Sequence, residues 1–119
     1  MSNLNEFSAG DVLVFQIESG FGLLRILEIQ ERGNDTVWHI AAYGDYFLTI
    51  EMAEDALPTF TKFRPQIEHI ALTDRAFHST QTARLGHFPV RAEEHELVEQ
   101  WKKNPTISDR SVRLLLGIR

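Results

Sequence analysis

The chain contains no cysteine among its 119 residues. This excludes disulfide bonds, a thiolate nucleophile and cysteine-ligated metal sites. Because disulfide-free proteins are typical of reducing compartments, we expect a cytoplasmic protein. The first residues (MSNLNEFSAGD) contain neither a basic nor an apolar segment, so we expect no signal peptide. No uncharged apolar run approaches the roughly 20 residues that cross a bilayer, so we expect no membrane partner.

The sequence also lacks the common motifs of catalytic, metal and cofactor sites. None of the five histidines stands in an HExxH or His-x-His pair, so we predict no metal site. Ser79 follows His78 without the Gly-x-Ser-x-Gly turn that presents a nucleophile. Gly20 and Gly22 lack the third glycine of a dinucleotide-binding loop. We therefore predict a protein that is not an enzyme and that binds no cofactor.

Length and composition indicate one globular domain, which we place over residues 1–119. The hydrophobic fraction of 43% and the charged fraction of 24% are ordinary for globular proteins. A chain of this length buries about two-thirds of its surface on folding, which is enough for a hydrophobic core without cross-links.

The two halves of the chain differ in charge. Residues 1–57 contain 2 basic and 10 acidic side chains (−8), and residues 58–119 contain 10 basic and 7 acidic ones (+3). One interpretation is that the carboxylates only keep the ends of hairpins soluble. The other is that an acidic face attracts a basic protein partner. Nucleic acid is disfavoured as a partner, because its phosphates are bound mainly by Lys and Arg.

The apolar pattern predicts an α+β fold. Strands are predicted at 11–17, 22–29, 36–43, 46–50, 67–72 and 85–90, and the first three are apolar on both faces. Strands of this kind are expected where both faces of a sheet are covered. We predict a strongly bent antiparallel sheet, or a partly open SH3-like barrel, of five to six strands followed by two C-terminal helices.

The helices are predicted from capping residues and apolar spacing. Residues 51–57 form at most a short helical turn or an irregular crossing before Pro58, and residues 73–82 are expected to be partly exposed strand or loop. Residues 92–103 form a helix whose glutamates face solvent, including Glu94. Ser108 is the expected N-cap of a last helix that ends at Gly117.

Eight apolar side chains are predicted to share one core. They come from the strands and from the apolar face of the first C-terminal helix: Leu13, Phe15, Leu23, Leu27, Ile40, Ile70, Leu97 and Trp101.

The turn after the third predicted strand is the best candidate for a partner-binding site. It contains Tyr43, Asp45 and Tyr46, and Glu51 follows shortly afterwards. Tyrosines beside a carboxylate are common at protein interfaces, because tyrosine offers a large apolar area with a polar end. The alternative is that Tyr43 and Phe47 continue into the core and that only Asp45 and Tyr46 are exposed.

Two segments near the amino terminus resemble the immunity protein 26 family. They are residues 7–12 (FSAGDV), with Gly10 and Asp11, and residues 20–27 (GFGLLRIL), with Arg25. The similarity continues loosely through residues 65–72 and the Gly-His-Phe-Pro segment at 86–89, where members tend to have a Trp that is absent here. The resemblance implies a small cytoplasmic α+β protein of bacterial toxin–immunity systems that blocks a toxin domain by occlusion.

Two functions follow as expectations. The first is an immunity protein whose partner is a cognate toxin domain; the acidic first half of the chain favours a basic one. The second is an SH3-like or Tudor-like module that binds a peptide or nucleic acid. The second function requires an aromatic groove formed by Tyr43, Tyr46 and Phe21, to which Trp38 is a candidate addition.

Overall fold

The computed structural model describes residues 7–117; residues 1–6, which bear on the signal-peptide expectation, lie outside the described residues. Its centre is an antiparallel sheet with the spatial order β4-β3-β2-β1-β5. The strands are β1 (Asp11–Ile17), β2 (Gly20–Arg32), β3 (Asp35–Tyr43), β4 (Pro65–Thr73) and β5 (Thr82–His87). The first four form a meander, whereas β5 returns to pair with β1. Within residues 7–117 the edge strands β4 and β5 do not pair, so the sheet is open.

Five short helical segments complete the α+β fold, which confirms the predicted class. They are α1 (Ile50–Ala56), a 3-10 helix (Leu57–Lys62), α2 (Asp74–His78), α3 (Ala92–Lys103) and α4 (Val112–Leu115). The bounds of β1 and α3 are those predicted from the sequence. The positive φ of Gly117 (78°) ends the last helix as expected.

Each face of the sheet has its own hydrophobic core. One core contains Leu13, Phe15 and Ile40, with side chains of α2 and α4. The other contains Leu23 and Leu27, with side chains of α1, the 3-10 helix and α3. The prediction that both faces of the strands are apolar is therefore confirmed.

The prediction of a single core is wrong, because neighbouring residues of a strand point to opposite faces. Ile70 is only partly buried and packs against the α2–α4 side. Leu97 and Trp101 are partly buried on α3.

The predicted strand at 46–50 is wrong. Only Phe47 pairs with a strand residue, Phe21, and a helix begins at Ile50. The helix begins there because the hydroxyl of Thr49 accepts a hydrogen bond from the backbone N–H of Met52 (3.1 Å).

The segment at 73–82 is likewise not only strand or loop. The hydroxyl of Thr73 accepts a hydrogen bond from the N–H of Ala76 and caps α2. The helix buries Ala76 and Phe77, the two apolar residues of the segment.

The last helix begins three residues later than predicted, with Ser111 as its N-cap. Ser108 instead extends the sheet: its N–H donates to the carbonyl of Ala71 (2.8 Å) and its carbonyl accepts from the N–H of Thr73 (3.0 Å).

Candidate protein-binding surface

The loop at residues 44–49 is fixed against the turn between β1 and β2. The N–H of Phe21 donates to the carbonyl of Phe47 (2.7 Å), and the N–H of Phe47 donates to the carbonyl of Phe21 (2.9 Å). A Cβ atom at Gly20 would lie 2.3 Å from the carbonyl oxygen of Phe47. The close approach of the two backbones therefore requires glycine at this position.

Along this loop, alternate side chains point toward the core and toward solvent. Phe47 is partly buried, and its ring stacks on Phe63 with the centroids 6.3 Å apart. Its two neighbours point outward, so Tyr46 is 51% exposed and Leu48 is 73% exposed. The alternation is that of an extended chain with one face packed.

The beginning of α1 adds two more exposed apolar side chains. Ala53 faces the core, while Ile50 and Met52 are 39% and 48% exposed. Among the described residues, six large apolar side chains are exposed, and four of them are Tyr46, Leu48, Ile50 and Met52. We call these four the apolar segment. A concentration of exposed apolar side chains in seven consecutive residues is typical of an interaction site.

Carboxylates are interspersed with the apolar segment along the chain. Residues 44–56 contain four acidic side chains and neither Lys nor Arg, and the adjoining β1–β2 turn adds Glu18. All five are exposed. We call them the acidic rim: Glu18, Asp45, Glu51, Glu54 and Asp55. An apolar centre inside a charged rim suits a protein partner, because burial of the centre supplies affinity and the rim supplies attraction at a distance.

Three of the four predicted partner-binding residues lie on this surface. Asp45, Tyr46 and Glu51 are exposed. Tyr43 is only 2% exposed and packs on Phe60, so its prediction as a contact residue is corrected. It is the last residue of β3 and points into the core beneath α1 and α3, as the alternative interpretation of this turn had it.

Leu48, Ile50 and Met52 were not predicted to be part of a binding surface. Their alternation resembled that of a half-buried strand, and no local signal marked them as exposed. Gly20, which lies against Phe47 in the fold, was the one indirect sign in the sequence that another segment packs here. Glycine within an apolar strand indicates that a second backbone approaches closely.

The four aromatic residues of the predicted peptide-binding groove do not form one cluster. Trp38 belongs to the core beside α2 and stacks on Phe77 with the ring centroids 3.9 Å apart. Tyr43 and Phe21 belong to the core on the opposite face of the sheet.

The residues that carry the family resemblance meet in a buried polar network. The Arg25 guanidinium contacts the Glu94 carboxylate through two hydrogen bonds, of 2.9 and 3.2 Å. It also donates to the carbonyls of Gly10 (3.0 Å) and Pro89 (2.9 Å). Burial by itself raises the pKa of Glu94, but hydrogen bonds from Arg25 and Arg91 outweigh burial and hold this pKa below its usual value. Glu94 was expected to face solvent, and that expectation is wrong.

Asp11 extends this network to the edge strand. Its carboxylate contacts His87 (2.8 Å), Arg84 (3.1 Å) and the backbone N–H of Ser8 (2.8 Å). Burial acts to raise the pKa of Asp11, but the hydrogen bonds and charges around it lower the pKa overall. The network therefore joins β1, β2, β5 and α3 and has a structural role.

His39 and His69 form a stacked pair between the sheet and α3, with Nδ1 of His39 2.9 Å from Nε2 of His69. Nε2 of His39 lies 2.9 Å from Oε1 of Gln30, and the edge of the ring packs on Trp101. Within residues 7–117, no three His, Cys, Asp or Glu side chains are grouped so that they could hold a metal ion.

Comparison with protein-family models, curated proteins and solved structures found no match. None of the helices in the described part of the chain is both long and apolar enough to cross a membrane.

Proposed function

We propose that this chain is a cytoplasmic binding protein that docks a basic protein through the apolar segment and the acidic rim. The resemblance to the immunity protein 26 family suggests the class of partner, a bacterial toxin domain that is neutralised by occlusion. The observation that carries the proposal is the concentration of four exposed apolar side chains in a part of the chain that also has exposed carboxylates and neither Lys nor Arg.

The two parts of the surface have different physical roles. Tyr46 and Leu48 are the most exposed members of the apolar segment. Full burial of a side chain of this size contributes about 1.5–3 kcal/mol, so two such contacts slow dissociation strongly. The rim carboxylates stay near solvent, and their main effect is to accelerate encounter with a basic partner at low ionic strength.

A rigid support makes this surface suitable for occlusion. The backbone bridge between Phe21 and Phe47 and the N-cap at Thr49 hold the loop in its conformation before binding. A preorganised surface loses little conformational entropy when the complex forms. A small protein of this kind can cover an active site with one face and needs no catalytic group of its own.

The test uses the toxin domain encoded in the neighbouring reading frame of the source genome. We expect the chain to bind it and to restore growth of cells that express it. Asp45→Asn combined with Glu51→Gln should slow association about 3- to 10-fold at low salt and reduce the salt dependence of the rate. Tyr46→Ala should leave association unchanged and speed dissociation at least tenfold.

Matched controls come from other parts of the surface. Glu68→Gln combined with Glu96→Gln removes two exposed carboxylates from β4 and α3, and Leu114→Ala truncates an apolar side chain that is 64% exposed on α4. Both controls should bind as the wild type does. If these controls weaken binding while the Asp45, Glu51 and Tyr46 variants do not, the partner docks elsewhere and the proposed surface is wrong. If the neighbouring reading frame encodes no toxin, or its product does not bind, the proposed immunity role is wrong.

A further inference from the structure

A small cavity lies between the end of β3, the 3-10 helix and the beginning of α3. Its volume is 140 Å³, close to that of the engineered cavity of about 150 Å³ that binds benzene. Three phenylalanines (Phe60, Phe63 and Phe88) form its apolar sides. The apolar segment does not contribute to the lining, so the cavity is a separate feature.

Two of the polar groups that line the cavity are donors that are not fully used. Tyr43 lines the cavity, and within residues 7–117 its hydroxyl, which is not fully enclosed, makes no hydrogen bond. Burial raises the pKa of Tyr43 to about 12, so this hydroxyl keeps its proton and can donate. Arg25 also lines the cavity and uses four of its five N–H groups on Glu94, Gly10 and Pro89. The Tyr43 hydroxyl and the remaining N–H of Arg25 are therefore available to donate to water or to a ligand.

The charged side chains that line the cavity suit an anion. They are Arg25 and Arg91, and no carboxylate of the described residues lines the cavity, although Glu94 pairs with both guanidinium groups and the charge of Glu93 also acts on Arg91. Arg91 is about half-exposed, so its guanidinium stands at the entrance. A carboxylate can accept hydrogen bonds from the phenol and from the guanidinium groups.

We propose that this cavity binds a small aromatic carboxylate, with its ring among the three phenylalanines and its carboxylate toward Tyr43, Arg25 and Arg91. The aromatic ring gains from the apolar sides of the cavity, since offset and edge contacts between rings are favourable. The carboxylate satisfies the donors that the protein leaves unused. This site does not depend on the proposed toxin-binding role.

The test is a titration of the full ¹⁵N-labelled chain with benzoate, followed by NMR. We expect saturable shifts that are largest at residues 60–63 and at 88. Benzyl alcohol, which has the same ring without the charge, should bind at least fivefold more weakly. Tyr43→Phe removes only the hydroxyl, and Arg91→Gln removes the charge at the entrance together with the 3.4 Å contact of Arg91 with Glu94. Each should weaken benzoate binding about 3- to 10-fold.

The controls make the same changes outside the cavity. Tyr46→Phe and Arg110→Gln alter exposed side chains and should leave benzoate affinity unchanged. Because the Tyr43 hydroxyl has no partner in the described chain, Tyr43→Phe should also unfold at the wild-type urea concentration or above it. Any one of three results would overturn the proposal. They are NMR shifts confined to other regions, equal affinity for benzoate and benzyl alcohol, and full benzoate affinity in both cavity variants.

Discussion

Lowering the pH from 7.5 to 5 is expected to destabilise the protein through buried His39 and its partly buried neighbour His69. His39 is 0% exposed. Because the Gln30 carbonyl can only accept, Nε2 of His39 must carry the proton that it donates to Oε1. Nδ1 of His39 therefore accepts from Nε2–H of His69. A second proton on His39 has no place without breaking this chain of hydrogen bonds.

The surroundings of the pair also oppose its protonation. Burial lowers the pKa of His39 to about 4, helped by the charges of His69 and Lys102. Burial also lowers the pKa of His69. Glu28 pairs with His39 in the strand register, and its charge acts on Lys102. Trp101, which packs on the His39 ring, carries no charge.

The direction of the change in stability with pH follows from proton binding by His39 in the unfolded and folded chains. The unfolded chain binds a proton on His39 near pH 6.5, whereas the folded chain does so only near pH 4. Stability is therefore complete above the unfolded pKa and falls as the pH is lowered below it. The loss from His39 alone reaches about 2 kcal/mol at pH 5 and about 3 kcal/mol at pH 4. Asp11 and Glu94, whose pKa values are lowered, lose their contributions only below about pH 4.5.

Urea unfolding at pH 7.5 and pH 5 measures this effect directly. The wild type should lose about 2 kcal/mol or more between the two conditions, since His69 acts in the same direction. His39→Gln removes the titrating group, so its stability should change much less, whatever its stability at pH 7.5. His95→Gln alters an exposed histidine of α3 and should keep the wild-type response. Equal losses in the wild type and in His39→Gln would refute the reasoning.

Two further predictions concern the core and the buried ion pair. Leu27→Ala should lower the free energy of unfolding by about 2–5 kcal/mol, because Leu27 is buried. Leu48→Ala, at an exposed site, should change it by less than about 0.5 kcal/mol. An unchanged urea midpoint for Leu27→Ala would contradict the assignment of Leu27 to the core. Glu94→Gln leaves the Arg25 guanidinium buried without its counter-charge and should lower the free energy of unfolding by about 3–5 kcal/mol. Glu93→Gln, on the exposed side of α3, should change it little. Similar thermal melts of these two variants would show that the ion pair of Arg25 and Glu94 contributes no stability.

The sequence was sufficient for the elements whose local signals agree. β1 and α3 were predicted with their observed bounds, because apolar spacing, turn residues and helix-end charges point to the same limits. In residues 46–50 the local signals disagree, because the apolar alternation is that of a strand whereas Thr49 caps a helix. The N-cap hydrogen bond decided between two patterns that the apolar spacing alone could not separate.

Exposure of the candidate surface depends on contacts that are distant in sequence. Tyr43 and Tyr46 are both aromatic residues of one turn, yet one is buried and the other is half-exposed. The difference arises because the pairing of Phe47 with Phe21 sets which side chains of the loop face outward. The sequence indicated an acidic region here, with Asp45 and Glu51 as its named carboxylates, since charge needs no knowledge of packing. It did not show which apolar side chains of this region are exposed.

The ion pair between Arg25 and Glu94 was within reach of sequence reasoning. Arg25 is the one charged residue in the apolar run GLLRIL, and a buried charge requires a partner. On α3, Glu94 lies three, four and seven residues before Leu97, Val98 and Trp101, so helical spacing puts it at the centre of the apolar face. A carboxylate at such a position stays ionised only when a cation lies opposite it. Arg25 and Glu94 therefore each supply the opposite charge that the other requires. The same ion pair fixes the position of α3 on the sheet.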